Sequence, residues 1–283
     1  MGSFDPRRVA EYYDRTLPFY RLFWHRDPVS HAVHYGFWDS GTKTLQEALL
    51  NENRFLARLA GVGSETRVLD AGCGIGGSSI WLAQNVGTHV VGISVSERQI
   101  ARARQLAQET GVADKTEFYV QDFLNTGFPE SSFDVAWAIE SACHAVDKRA
   151  FLHEMHRVLR PGGRLVVADG FLRRPVEPVE EGTYRRFLDG LALPGLAQVE
   201  EFRQLIEHVG FRNVRFFDKT ENIRPSSRRL FILSLLFSPF FRITYALGLV
   251  PAVVIGNGPA GLAQYKIFFK SGLAGYYVFY GEK

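Results

Sequence analysis

Short apolar runs alternate with amphipathic segments through the middle of the chain. Five runs rich in Val, Ile, Leu, Phe and Ala end in polar or glycine residues, as buried strands do. The segments between them carry apolar residues at three- and four-residue spacing, which is typical of helices. This alternation predicts a parallel sheet covered by helices on both faces. The predicted strands are 67–72, 89–94, 116–122, 133–140 and 164–170.

The region beyond residue 170 departs from this alternation. It contains one more amphipathic helix at 197–211, a strand at 212–220 and a last strand at 275–283. The predicted fold class is therefore α/β, a doubly wound, mostly parallel, seven-stranded, Rossmann-like sheet. An N-terminal helical segment and an apolar insertion before the last strand complete it. We expect three regions: an N-terminal helical cap (1–60), a core that contains the five strands (61–170) and a C-terminal region (171–283).

The apolar insertion, residues 228–265, has three interpretations. Prolines and Arg242 interrupt it, whereas a membrane-spanning helix needs about 20 uninterrupted apolar residues. Arg224, Arg228 and Arg229 lie at its start, a pattern that suits a helix lying at a membrane surface. The insertion is a lid over a lipophilic substrate, a peripheral membrane contact that is compatible with a lid, or a plain core or homo-oligomer interface.

The bulk composition excludes several classes of protein. The chain has 283 residues, 46% of them hydrophobic, and a net charge of +3 with scattered basic residues, so we expect no nucleic-acid partner. Two cysteines, Cys73 and Cys143, favour a reducing, cytoplasmic location. The histidine pairs at 31–34 and 153–156 lack the further ligands of a zinc site, so we assign no metal.

A glycine-rich turn follows the first predicted strand, in the stretch "VLDAGCGIGG". Gly72, Gly74 and Gly76 stand between Asp70 and the next helix. Glycines there allow a sharp turn and a close approach of ligand to backbone. The following helix start offers unpaired N–H groups to an anionic group. The stretch predicts a nucleotide-type ligand, and a tight turn without a ligand is the alternative.

This stretch resembles the first motif of class I S-adenosylmethionine-dependent methyltransferases. The segments "VVGISVSERQIARA" and "FYVQDF" follow in that family's order. The block "FDVAWAIESACHAVDKRAFLHEMHRVLRPGGRLVVAD" is similar to that of sterol 24-C-methyltransferases and tocopherol methyltransferases, and the N-terminal "YYDRTLPFYRLFWHRDPVSHAVHYGFWD" resembles their aromatic segment. The resemblance is specific through the first 170 residues and loose beyond them.

The resemblance implies S-adenosyl-L-methionine as the cofactor. It also implies that the core (61–170) binds this cofactor and that residues 171–283 form a substrate-binding or lid region. In this family the first-strand acid and the glycine turn hold the amino-acid end of the cofactor, which maps to Asp70, Gly72, Gly74 and Gly76. An acid usually grips the ribose at the end of the second strand. This chain has Ser94 there, with Gln99 close by.

Two residues after the third strand are candidates for the adenine. Asp122 is placed to accept a hydrogen bond from the adenine amino group, and Phe123 to pack on the ring. A turn or capping role is the alternative for Asp122.

The exit of the fourth strand, "AIESACHA", carries the candidate catalytic groups. Ligands of open parallel sheets bind at the carboxyl ends of the strands near the topological switch, so Glu140 and His144 are expected to face the sulfonium and the acceptor. Glu140 would offset charge, orient substrate or receive a proton, and His144 would act as a base or hydrogen-bond donor. A helix cap and a structural histidine are the alternatives.

The N-terminal aromatic segment supplies candidates for substrate binding. His34, Tyr35, Trp38, Tyr13 and Tyr20 would close over cofactor and acceptor. The competing interpretation is an aromatic patch that anchors the N-terminal helix to the sheet.

The predicted activity is methyl transfer to a lipophilic small molecule, with C-methylation of an isoprenoid or sterol-like alkene favoured. O- or N-methylation of an aromatic or alkaloid-like product is the main alternative. A nicotinamide-dependent reductase and a non-catalytic binding subunit are further alternatives, although the glycine spacing is not G-x-G-x-x-G and no Tyr-x-x-x-Lys motif is evident.

Overall fold

A single sheet organises the part of the chain that the structure describes. The structure is a computed structural model and describes residues 9–16, 30–32, 34–248 and 252–283. The strands within these ranges are β1 (Arg67–Ala71), β2 (His89–Ser94), β3 (Thr116–Val120), β4 (Phe133–Ile139), β5 (Leu159–Leu172), β6 (Arg212–Asp218) and β7 (Ala274–Glu282). They form one seven-stranded sheet in the order β3-β2-β1-β4-β5-β7-β6. Six strands run in the same direction, and β7 runs in the opposite direction between β5 and β6. The predicted doubly wound, mostly parallel sheet is confirmed.

Helices connect the strands, and residues 9–16 are also helical. Thr44, Ser96 and Asp147 each begin a helix by accepting a hydrogen bond from the backbone N–H three residues on, as N-caps do. The helix after β5 was not predicted from the sequence. The helices are α1 (Leu45–Leu59), α2 (Gly77–Asn85), α3 (Glu97–Glu109), α4 (Lys148–Val158), α5 (Glu181–Gly190), α6 (Val199–Val209), α7 (Thr220–Ala246) and α8 (Ala252–Phe269), with a 3-10 turn at Ala142–His144.

The strand order reverses between β1 and β4. β1 lies between β2 and β4, and Asp70 is level with Gly92 on one side and Trp137 on the other. Val68 and Leu69 are fully buried because helices cover both faces of the sheet. The turns that follow β1 and β4 therefore leave the sheet side by side, at the edge where open parallel sheets bind ligands.

β5 is longer than the sequence predicted. The sequence predicted a strand beginning at residue 164, but β5 starts at Leu159 and includes the whole "RPGG" stretch. The register against β4 shifts between Phe133 and Val135. Gly162 and Gly163 exchange backbone hydrogen bonds with Lys283. Lys283 thus provides the backbone hydrogen bonds that pair this stretch as a strand.

The apolar insertion folds largely as α7 and α8. Pro225 and Pro239 lie inside α7 instead of ending it, and Pro259 lies inside α8. By length and composition, α7 is the one helix in the described ranges that is able to cross a membrane.

Glycines allow α5, α7 and α8 to pack closely. A Cβ added to Gly258 or Gly261 of α8 would collide with a serine of α7. A Cβ on Gly190, at the end of α5, would collide with the carbonyl oxygen of Gly256 and lie 2.6 Å from the Cβ of Ala260. The three helices therefore form one layer over the end of the sheet.

Replacing Gly190 with Ala is expected to lower the free energy of unfolding by about 1–3 kcal/mol, because overpacking forces the backbone to shift. The matched control is Gly182→Ala in the same helix, where the nearest atom to the new Cβ is a guanidinium nitrogen of Arg186 at 3.7 Å. That change should be neutral or stabilising by up to about 1 kcal/mol. Urea unfolding measures both, and equal stability of the two variants would contradict this packing.

Candidate active site

The turns after β1 and β4 touch each other. A Cβ added to Gly72 would collide with the Cβ of Ser141 and lie 2.8 Å from its Oγ. The Ser141 hydroxyl donates a 2.6 Å hydrogen bond to the carbonyl oxygen of Ala71. Gly72 also has a φ of +99°, which favours glycine. The glycine turn and the polar strand exit predicted from the sequence therefore border one cavity.

This cavity has a volume of about 350 Å³ and extends from the glycine turn to the underside of α7 and α8. Most of the site residues predicted from the sequence line it. These are Tyr13, His34, Tyr35, Asp70, Gly72, Gly74, Ser94, Gln99, Asp122, Phe123, Glu140 and His144.

Two of the other predicted residues, Gly76 and Trp38, do not line the cavity. The Cβ position of Gly76 faces Phe118 at 2.9 Å, so helix–strand packing accounts for a glycine there. Trp38 does not line the cavity and donates its indole N–H to Ser226 on α7 at 2.7 Å. Tyr20 lies outside the described residues.

The side of the cavity nearest β1 and β2 is polar. Asp70 accepts a 2.6 Å hydrogen bond from the Ser79 hydroxyl, and burial raises its pKa to about 6 despite that bond. Ser94 donates to Gln99 Oε1 at 2.7 Å. Asp122 accepts from the Leu124 N–H at 2.8 Å. The turn role considered for Asp122 is thus present, and its side chain also borders the cavity.

The chain segment before α1 closes this side. A Cβ on Gly77, the first residue of α2, would lie 2.6 Å from the carbonyl oxygen of Ser30 and 2.8 Å from that of His31. The segment therefore crosses directly over the start of α2, where any larger residue would push it away.

Glu140 lies at the centre of the cavity floor in a strained conformation. Its φ is +47°, which is uncommon for a residue other than glycine and is typical of functional positions. Its Oε1 accepts hydrogen bonds from the Tyr35 N–H at 2.8 Å and from the Tyr276 hydroxyl at 3.1 Å. Burial, and then the charge of the nearby Glu52, raises the pKa of Glu140 well above its ordinary range.

A second buried carboxylate lies behind Glu140. Glu52 Oε1 accepts from the same Tyr276 hydroxyl at 2.7 Å, and its Oε2 lies 2.7 Å from His34 Nδ1. His34 Nε2 is buried without a hydrogen-bond partner in the part of the chain that is described. Because one hydroxyl carries one proton, Tyr276 donates to Glu52 or to Glu140 but not to both at once.

His144 lies in the turn after β4 and Asp169 lies near the end of β5, and both line the cavity. Tyr13 and His144 share a 2.9 Å hydrogen bond between the hydroxyl and Nε2. Burial, and then the charge of Lys148, lowers the pKa of His144 to about 4, so the ring is neutral at pH 7. Asp169, at the cavity end of β5, accepts from the Cys143 N–H at 2.8 Å, and burial raises its pKa to about 6.

The far side of the cavity is apolar. Leu230, Leu233 and Phe241 of α7 line it together with Phe268 of α8 and Phe187 of α5. One face of the predicted insertion thus roofs the cavity, as the lid interpretation requires.

Sequence reasoning missed Glu52, Asp169 and Tyr276. Glu52 was accessible to it, since the residue lies at the helical spacing of the buried Leu49 and Leu56. Asp169 lies near the end of the predicted strand 164–170, as Glu140 does in the predicted strand 133–140, and was open to the same argument. No sequence pattern marks one tyrosine of β7 above the others.

Comparison with known proteins identifies the family. Residues 69–167 match the family described as "Methyltransferase domain". Methyltransferase GfsG of Streptomyces halstedii is 33% identical over 222 residues, which cover 78% of each chain. The chain belongs to the class I S-adenosylmethionine-dependent methyltransferases. Its cofactor is S-adenosyl-L-methionine, and the predicted resemblance is confirmed.

This methyltransferase is also similar to the probable chloroplastic tocopherol O-methyltransferase of Oryza sativa subsp. japonica, at 31% identity over 77% of this chain and 63% of that protein. The sterol 24-C-methyltransferase of Eremothecium gossypii is 28% identical over 78% of this chain and 60% of that protein. In fold, the methyltransferase matches the cyclopropane synthase MmaA2 of Mycobacterium tuberculosis with a TM-score of 0.83, at 18% identity and over 98% of both chains.

The polar side of the cavity suits this cofactor chemically. Asp70 is an acceptor for an ammonium group, and Ser94, Gln99 and Asp122 offer partners for hydroxyl and amino groups. The Cβ position of Gly74 faces open space, with the Gln99 amide nitrogen the nearest atom at 3.8 Å. A ligand can therefore approach the backbone of this turn.

Replacing Tyr276 with Phe should lower the free energy of unfolding by about 1–3 kcal/mol, because two buried carboxyl groups lose their shared donor. The matched control on the same strand is Tyr280→Phe, whose hydroxyl donates only to Glu282, two residues on. We expect a smaller loss there, of about 1 kcal/mol or less, because only one carboxyl group loses a donor. Thermal or urea unfolding compares the two, and equal losses would mean that Tyr276 does not bridge the carboxyl groups.

Proposed function

We propose that this enzyme methylates a carbon of an isoprenoid or sterol-like alkene. The observation that carries the proposal is the position of Glu140, a half-buried residue whose carboxyl group has a raised pKa and which lines the same cavity as both the polar and the apolar side chains. The likeness to a sterol 24-C-methyltransferase supports it.

The polar end is the proposed cofactor site. Asp70, with Gly72 and Gly74, would hold the amino-acid end, and Ser94 with Gln99 would hold the ribose. Asp122 and Phe123 would take the adenine; Phe123 packs edge-on against Phe151 with ring centroids 5.4 Å apart, which fixes its ring. When bound, the cofactor supplies an electrophilic methyl group on a sulfonium.

The apolar end is the proposed acceptor site. Tyr13, His34 and Tyr35 border it from the N-terminal side, and the roof of α7 and α8 covers it. Trp38 would act indirectly, through its bond to Ser226 on the roof helix. Such an enclosure excludes water and holds a greasy acceptor in one orientation.

Glu140 is the proposed proton acceptor. When the π electrons of an alkene form a bond to the methyl group, the other alkene carbon becomes a carbocation. Loss of a proton from a carbon next to that cation restores a double bond. Glu140 is a stronger base than an exposed glutamate because its pKa is raised. Aromatic faces such as that of Tyr35 stabilise the cation by about 0.5–2 kcal/mol each.

O- or N-methylation is the second candidate, and the contact of His144 with Tyr13 favours it. O-methylation uses a base near the hydroxyl group of the acceptor, and one relative is named as a probable tocopherol O-methyltransferase. His144, with a pKa of about 4, is however a weak base for a phenol. We therefore place carbon methylation first.

The proposed compartment is the cytoplasm. Both cysteines are free and buried, which fits a reducing environment.

Glu140→Gln and His144→Asn separate the two candidates. The amide introduced by Glu140→Gln keeps an acceptor for Tyr35 and Tyr276 but is not a base, so we expect methyl transfer to fall at least about 100-fold. His144→Asn should cost less than about tenfold. Product formation from isotope-labelled cofactor, with panels of isoprenoid alkenes and prenylated phenols, measures both. A carbon-linked label is expected, and the reverse order of losses with an oxygen-linked label would overturn carbon methylation.

Cofactor affinity should depend on pH through Asp70. Below its pKa of about 6, a cationic ligand group must displace a proton, so affinity should fall up to about tenfold per pH unit as pH drops from 6 and level off above neutrality. Asp70→Asn should weaken binding and remove the step. The control is Asp169→Asn, which removes the other carboxyl group of pKa about 6 and should keep the step. Calorimetric titration between about pH 5 and 8 measures this; a step that survives Asp70→Asn contradicts the assignment.

A further inference from the structure

One face of α7 is apolar and exposed to solvent. Its side chains recur every three or four residues along the helix, so they form a continuous stripe. We call this the outer stripe, and it consists of Ile232 (44% exposed), Leu235 (58%), Leu236 (65%), Phe240 (57%), Ile243 (61%) and Leu247 (67%), the last being the C-cap.

The opposite face of the same helix lines the cavity. Leu230, Leu233, Phe237 and Phe241 follow the same spacing and border the proposed acceptor site. Helix α7 therefore separates the proposed acceptor site from the surface that binds to the outer stripe.

The sequence that contains the outer stripe is basic. From residue 222 to residue 281 the sequence contains no Asp or Glu, and it contains four arginines and two lysines. Arg228 is exposed and lies one helical turn before Ile232, so it extends the outer stripe with a cation. An apolar stripe that begins with arginine complements the anionic headgroups and acyl chains of a bilayer surface.

We propose that the outer stripe seats the enzyme on an anionic phospholipid bilayer, with α7 lying in the interface. The helix lies on the bilayer and does not cross it, because its opposite face belongs to the cavity and packs on α8. A second copy of the chain is a poorer occupant, since it presents the same surface without carboxylates.

Binding of α7 to the bilayer would give the acceptor a route into the cavity. If the proposed function holds, a lipophilic acceptor dissolved in the bilayer reaches the cavity past α7 without entering water. The docking surface itself does not depend on methyl transfer, so the two can be tested separately.

The experiment is co-sedimentation of the full-length protein with vesicles of phosphatidylcholine alone or mixed with phosphatidylglycerol. Wild-type protein should bind the mixed vesicles more tightly. Leu236→Glu combined with Phe240→Glu should weaken binding to both at least about tenfold, because it places two charges on the face that enters the bilayer. Arg228→Gln should weaken binding to mixed vesicles about fivefold and leave binding to neutral vesicles unchanged.

The matched control is Val179→Glu, which places a charge on another apolar residue that is 85% exposed and should leave vesicle binding unchanged. Calorimetric titration with S-adenosylmethionine should give wild-type affinity for every variant, which shows that the fold is retained. Vesicle binding that survives the double substitution overturns the proposal. Light scattering gives a second test. A wild-type dimer that the double substitution converts to a monomer would also overturn the proposal, because a second copy of the chain would then cover the outer stripe.

Discussion

The contact between Gly72 and Ser141 is the constraint on which the active site depends. Only a glycine fits there, and the approach brings the turn after β1 against the strand exit that carries Glu140. The parallel pairing of β1 with β4 sets the distance, and the reversal of strand order at this point leaves the edge open to a ligand. A wider separation would divide one cavity into two unrelated clefts.

The cavity floor shows how the protein keeps charged groups where water is excluded. An isolated carboxylate is costly to bury, and here Glu140 and Glu52 share the Tyr276 hydroxyl, while the backbone N–H groups of Tyr35 and Gly36 donate to Glu140 Oε1 and Glu52 Oε2 respectively. The raised pKa of Glu140 is the residual cost of this arrangement. The proton acceptor that we propose for carbon methylation needs that cost, because an exposed glutamate would hold a proton too weakly.

The sequence was informative wherever local order decides the structure. Alternating apolar and amphipathic segments indicated the sheet, and strand-exit logic found Glu140, His144 and Asp70. It failed where partners come from distant elements. The "RPGG" stretch became strand because Lys283 pairs with it, and Tyr276 gained its importance from Glu52, which is 224 residues away. Gly76 shows the opposite case, since this motif position does not line the cavity and packing against Phe118 accounts for the glycine there.

The short segment from Tyr35 to Trp38 joins the roof to the floor. Tyr35 holds Glu140 through its backbone N–H, whereas Trp38 holds the first turns of α7 through Asn222 and Ser226. Four consecutive residues therefore connect the roof helix to Glu140, the proposed proton acceptor, through three hydrogen bonds. A displacement of α7 would be transmitted to Glu140 along this segment, so the position of the roof and the orientation of the carboxyl group are not independent.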